Sequence, residues 1–266
     1  MSRIAARFTA LQSAGRKALI PFITAGDPSL EATVPVMHAL VGAGADVIEL
    51  GVPFSDPMAD GPTIQRSSEQ ALRRGAGLRY VLQAVAEFRL HDAATPVVLM
   101  GYLNPIEIHG DERFAREAVG AGVDGVLLVD LPPEEAAVTR EVFARHGLDL
   151  IALASPTTSP ERMRMLCESA QGYLYYVSFA GVTGAAHLDA QAAGPRLRAL
   201  RAQSPVPVVA GFGIKDAASA AAMAVEADGV VVGSALVAVL DGAPTPEEAA
   251  GRAAGFLAPL RRSLDG

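Results

Sequence analysis

The pattern that most constrains this chain is an alternation of short Val-, Ile- and Leu-rich runs with longer Ala-rich segments of helical period. Eight runs fit it: Ala18 to Ile23, Val47 to Gly51, Val97 to Tyr102, Val126 to Val129, Leu148 to Leu153, Tyr173 to Val177, Val208 to Ala210 and Val230 to Val232. Near-continuous hydrophobicity marks a strand covered on both faces, and parallel strands need a helix-length connection between them. Helices are expected over Leu30 to Val41, Glu112 to Val119, Pro133 to Arg145, Pro160 to Ser169 and Asp216 to Val225. Eight such units in 266 residues, without a linker, predict an α/β fold: a single (β/α)8 TIM-barrel domain over 1–266. Residues before Ala18 add an extra N-terminal helix, expected to cover the barrel's N-terminal end. The alternative, an open doubly wound sheet, lacks its glycine fingerprint after the first strand.

An internal repeat accompanies the alternation. "GAGADVIEL", "GAGVDGVLLV" and "VEADGVVVG" each end a helix on small residues and enter a strand through Asp46, Asp124 or Asp228. Asp46 and Asp124 lie 78 residues apart across two units, whereas Asp124 and Asp228 lie 104 apart across four. The early units are therefore longer, which predicts long loops in the first half, where function usually resides.

Composition limits the functional classes. Half the residues are apolar and 19% are charged, enough for a large core. No apolar run approaches the roughly 20 residues that span a bilayer, and the first 19 residues lack a signal peptide's apolar centre. Neither membrane nor nucleic acid is expected as a partner, since a net charge of -7 offers no basic face. The lone Cys167 cannot pair internally, which points to a reducing cytoplasm and a buried, unreactive thiol.

In a barrel, chemistry gathers at the C-terminal ends of the strands. Glu49 closes the second run, and period-two alternation sends Val47 and Glu49 inward while Ile48 and Leu50 face the helices. Burial there raises a carboxyl pKa toward the range useful for proton transfer at neutral pH. Asp56 and Asp60 follow in a loop stiffened by Pro53, Pro57 and Pro62, and composition does not choose between them. After the last three strands come "GVTG", "GFGI" and "GS", whose backbone N–H groups and following helix suit a phosphate. The only lysines, Lys17 and Lys215, flank strands, so no Schiff-base lysine is expected inside the barrel. His38, His91, His109, His146 and His187 show no ligand spacing, so no metal site is expected. Carboxylate-driven proton transfer on a phosphorylated substrate remains, in a cavity edged by Phe22, Tyr102, Leu127 and Tyr175.

The motifs "ELGVPFSDPMADGPTIQ", "GYLNP", "DLPPEE", "YYVSFAGVTG", "GFGI" and "GVVVGSA" follow one another here as they do in the tryptophan synthase alpha chains, which this sequence resembles over nearly its whole length. The resemblance implies aldol-type cleavage of indole-3-glycerol phosphate to indole and glyceraldehyde 3-phosphate. It makes Glu49 the acid-base group and Asp60 the carboxylate facing the indole nitrogen. It places Phe22, Ile64, Met100, Leu127, Tyr175 and Thr183 around the substrate, and Gly184, Phe212, Gly213, Gly233 and Ser234 around the phosphate. No cofactor is implied in this chain.

A beta chain carrying pyridoxal phosphate is the implied partner, in an α2β2 heterotetramer that passes indole between subunits. Pro53, Asp56, Asn104 and Pro132 match its contact face. The loop from Phe179 to Gly194 carries no Arg or Lys, unlike that of some relatives, so how it is held closed is left open. Two alternatives are a stand-alone indole-glycerol-phosphate lyase and a non-catalytic subunit that only activates the beta chain.

Overall fold

A computed structural model describes residues 2–177, 190–211 and 213–266, with the side chains of 190–193 also outside it. The chain opens with α1 (Arg3–Ser13), then β1 (Ala18–Thr24), α2 (Thr33–Gly42) and β2 (Ile48–Gly51). Two helices, α3 (Pro62–Arg73) and α4 (Leu78–Arg89), precede β3 (Val97–Gly101), and two more, α5 (Leu103–His109) and α6 (Asp111–Ala121), precede β4 (Gly125–Leu128). The second half runs α7 (Ala137–His146), β5 (Asp149–Ala154), α8 (Pro160–Glu168), β6 (Leu174–Val177), α9 (Ala190–Gln203) and β7 (Val208–Gly211). It ends with α10 (Ala217–Ala224), β8 (Gly229–Val232), α11 (Ser234–Leu240) and α12 (Pro246–Asp265).

The strands pair in parallel in chain order and close into a barrel where β8 meets β1. All eight expected strands are present within a residue or so of their sequence limits. Helices α2 and α7 begin later than expected, at Thr33 and Ala137, because the proline-containing segments before them form turns. The extra length of the early units is a second correction: much of it folds as α3 and α5, where long loops were expected.

Alternation along the strands sorts the core. Ile48, Leu50, Leu99 and Val126 pack outward against the helices. Ile20, Val47, Val98, Leu127, Ile151 and Tyr173 face inward, where Ile4, Phe8 and Leu11 of α1 join them. The N-terminal helix thus plugs the barrel, with Phe8 tilted against Tyr173 at 5.8 Å.

The aspartate repeat has a structural role at this end. Asp46, Asp124 and Asp228 each accept the backbone N–H of the preceding odd strand through Oδ2, from Leu19, Val97 and Val208. Each donates its own N–H back to the same residue's carbonyl. Gln171 occupies the equivalent place before β6 and accepts the N–H of Leu150. Arginines complete the three aspartates: Arg261 binds Asp46, Arg3 and Arg89 bind Asp124, and Arg201 binds Asp228. These buried or half-buried carboxylates are retained because every one is hydrogen-bonded.

Candidate active site

Glu49 is fully buried in β2, beside Phe22 of β1 and Val98 of β3. One carboxylate oxygen accepts the hydroxyl of Tyr173, the residue before β6, at 2.6 Å across the barrel. The other has no hydrogen-bond partner among the described residues. Burial disfavours the anion and pushes the Glu49 pKa to about 7, against the smaller, opposing effect of the Tyr173 hydrogen bond. A carboxyl poised there can both give and take a proton near neutral pH. Burial and the nearby Glu49 charge drive Tyr173 and Tyr175 well above the ordinary phenol range, so both stay protonated.

Asp60 lies in the β2–α3 loop and is half-buried. Tyr102, just after β3, donates its hydroxyl to Asp60 Oδ2 at 3.0 Å and accepts the Ala59 N–H at 3.0 Å. Its ring stacks on Phe54 at 5.0 Å. From α3, the Gln65 amide donates to the carbonyls of Asp60 and Pro57, fixing the loop from the other side. Burial raises the Asp60 pKa, opposed by the Tyr102 hydrogen bond. Asp56 is exposed, its carboxylate taken by the adjacent Ser55 hydroxyl at 2.5 Å. The loop therefore directs Asp60 inward and Asp56 to the surface, a distinction that composition left open.

Phe22, Ile64, Met100, Tyr102 and Asp60 line one cleft at the C-terminal end of the barrel, together with Thr24. Leu127 and Tyr175 belong to the inward-facing cluster beneath it. Two glycines make room for these side chains. A Cβ on Gly51 would lie 2.6 Å from the Phe22 ring, and one on Gly211 would lie 2.0 Å from the Tyr175 hydroxyl. Gly213 follows β7 at φ +77°, and Gly233 and Ser234 begin α11 after β8, Ser234 being exposed. Thr183, Gly184 and Phe212 lie outside the described residues. So do His187 and the Phe179 to Asp189 part of the loop without Arg or Lys.

Among the candidate contact residues, Asp56 and Asn104 are exposed, Pro132 is half-buried and Pro53 is buried within its own loop. Met58 and Ile108 present large apolar side chains to solvent, 81% and 80% exposed, in the same two connections. Sequence reasoning passed over Tyr173 as the partner of Glu49 and read Tyr102 only as an apolar wall. The period-two pair Tyr173 and Tyr175 on a strand after an inward Glu was the available signal for the first.

A family model described as tryptophan synthase alpha chain matches residues 8–259. The chain belongs to this family. A curated tryptophan synthase alpha chain from Xanthomonas oryzae pv. oryzae is 76% identical over 266 residues, covering 100% of this chain and 99% of the relative. Among solved structures, tryptophan synthase subunit alpha from Legionella pneumophila superposes with a TM-score of 0.89 at 46% identity, over 100% of this chain and 99% of that one. Tryptophan synthase from M. tuberculosis in an aminoacrylate-bound form gives 0.87 at 37% identity, over 99% and 100%. Within the tryptophan synthase alpha chain fold, Lys17 sits below β1 with its Nζ on the Ala227 carbonyl, and Lys215 is exposed beyond β7. Among the described residues, no helix is long and apolar enough to cross a membrane.

Proposed function

We propose that Glu49 and Asp60 carry the lyase reaction of a tryptophan synthase alpha chain, cleaving indole-3-glycerol phosphate to indole and glyceraldehyde 3-phosphate. Glu49 protonates the indole ring at C3, and the ring nitrogen takes up positive charge that Asp60 stabilises. The hydroxyl on the adjacent glycerol carbon then gives its proton to the Glu49 carboxylate, which restores the acid. The hydroxyl oxygen forms the aldehyde, the carbon-carbon bond breaks, and the bonding pair returns to the ring, neutralising the nitrogen. The electron sink lies within the substrate itself. Two carboxylates in unlike surroundings suit these two roles.

The observation that carries this reading is the state of Glu49: buried, with a pKa of about 7, one oxygen held by Tyr173 and the other unpartnered among the described residues. Glu49→Gln keeps the shape and removes the proton. Glyceraldehyde 3-phosphate release should fall by roughly 10²-fold or more. Turnover within a few-fold of wild type, with the fold intact, removes Glu49 from the mechanism.

Phe22, Ile64, Met100, Leu127, Tyr175 and Thr183 hold the indole and glycerol portions in this reading. The phosphate lies against backbone N–H groups around Gly184, Phe212, Gly213, Gly233 and Ser234. Titration with glycerol phosphate tests the latter: Lys215→Ala should leave affinity nearly unchanged, and its abolition moves the site elsewhere. The whole of 1–266 acts as one cytoplasmic unit, supported by β8 closing on β1. A beta chain holding pyridoxal phosphate docks on the face of Pro53, Asp56, Asn104 and Pro132 in an α2β2 assembly, to which this chain contributes no cofactor. Pro53 serves there by shaping the loop. Light scattering of the mixed subunits reads the stoichiometry, and cleavage assayed with and without the beta chain separates this from a stand-alone lyase.

A further inference from the structure

A cavity of about 270 Å³ opens between α7 and α8 against β4 and β5, adjoining the cleft that holds Asp60 at Val129 and reaching Pro132 on the proposed docking face. Leu128, Leu150, Leu153 and Leu166 supply apolar walls, and the short side chains of Ala136 and Ala152 leave the space unfilled. Arg140 enters it from α7, half-buried. Its guanidinium has no hydrogen bond or ion pair among the described residues, and burial alone pushes its pKa down with no acidic group to oppose.

The other polar groups of the lining are already engaged. Arg162 binds Glu134 through two bonds of 2.7 and 2.8 Å. Ser155 bonds Thr158 through its own N–H and hydroxyl, and its hydroxyl also pairs with that of Thr157. Asp130 is exposed and accepts the Leu103 N–H at 2.8 Å. Arg140 is thus the unmatched charge in an otherwise satisfied pocket, and an unpaired, partly desolvated guanidinium is costly to keep.

We propose that this cavity binds a small monocarboxylate with an apolar body, its carboxylate paired with Arg140 and its body against Leu128, Leu150 and Leu166. The planar fork of arginine matches a carboxylate. Asp130 in the lining opposes a dianion such as phosphate. A protein's Asp or Glu side chain, reaching in alone, would leave the leucine walls uncovered, whereas pockets of this kind are filled by ligands mostly apolar with one or two polar groups.

The test titrates 3-phenylpropanoate into the full chain by calorimetry and protein-observed NMR, beside 3-phenylpropanamide and inorganic phosphate. The acid should bind at least about tenfold more tightly than the amide, the value of one charge-assisted pair, and phosphate should not compete. Saturating glycerol phosphate should leave the acid bound. Arg140→Met should erase the preference for acid over amide without lowering the unfolding temperature of the free chain, since it removes an uncompensated charge. Ala152→Leu, which fills the void, should block both ligands. Equal binding of acid and amide overturns the proposal, as does a preference that survives Arg140→Met or no binding up to roughly 10 mM. Displacement by glycerol phosphate, or a clear fall in unfolding temperature in Arg140→Met, also overturns it. If Arg140→Met leaves acid binding intact and weakens association with a beta chain, the guanidinium serves a partner and the proposal falls.

Discussion

Glu49 should make the stability of this protein depend on pH in a way that its amide variant does not. The side chain is wholly buried, and its pKa is about 7 in the folded chain against 4.5 when exposed. At 1.36 kcal/mol per pH unit, that separation corresponds to about 3 kcal/mol. Because the folded value is the higher one, the native state holds the proton more tightly than the unfolded state does. The stabilisation is fully present below about pH 4.5 and is lost as pH rises through about 7. A glutamine at this position cannot titrate, so Glu49→Gln should gain about 3 kcal/mol relative to wild type between pH 4.5 and pH 8.5. Urea unfolding of both proteins in the same buffers cancels the other titrating groups. Set against a typical 5–15 kcal/mol of total stability, the effect is about a fifth or more. A difference between the two proteins that stays constant across this range would show that Glu49 is solvated in the folded state, and the proton-transfer argument would lose its basis.

Tyr173→Phe removes the hydrogen bond that lowers the Glu49 pKa, so the limb of the pH-rate profile that reports Glu49 should move upward while the fold is kept; an unmoved limb separates Tyr173 from the reacting carboxyl. Asp60→Asn should lose most of the cleavage rate because an amide offers no negative charge to the ring nitrogen, and Tyr102→Phe, which only frees the carboxylate, should lose less in kcat. The reverse order would make Tyr102 the primary group. Gly51→Ala would place a methyl 2.6 Å from Phe22 and should cost about 1–3 kcal/mol in unfolding free energy, with a raised KM. Asp56→Ala should weaken activation by a beta chain more than it weakens the isolated chain, and equal losses would assign Asp56 to the barrel.

The strands were legible because a parallel strand covered on both faces must be apolar throughout, and Glu49 stood out as an inward carboxylate within such a strand. The alternation that sends Val47 inward and Ile48 outward needed nothing beyond a two-residue period. The Tyr173–Tyr175 alternation hinted at an inward tyrosine, but not at which one meets Glu49, since Tyr173 lies 124 residues from it and the two meet only when the barrel closes. The same holds for Tyr102 and Asp60, on different connections. Sequence spacing showed that the early units were long, but not that α3 and α5 would fold from the surplus; in "PTIQRSSEQALR" the polar residues concealed the helix that begins at Pro62. The cavity beside Arg140 arises from which small side chains happen to face one another across α7 and β5, which no linear pattern records.

The side-chain links at the barrel's base fall at alternate seams among the described residues: β1 to β2, β3 to β4, β5 to β6 and β7 to β8. The intervening seams rest chiefly on backbone bonds, as where Ile48 meets Pro96 and Ala18 meets Asp228, with Lys17 adding one side-chain bond to the Ala227 carbonyl at the closing seam. The barrel is therefore a cask whose staves are glued in twos before they are hooped. Its sturdiest joints lie at the floor, far from the rim where Glu49 and Asp60 work, so the rim can be recut without loosening them. New chain ends introduced between β2 and β3, between β4 and β5, or between β6 and β7 would leave each glued pair covalently whole. Ends placed within a pair would leave the strand ladder and one side-chain link to hold together what the chain no longer does.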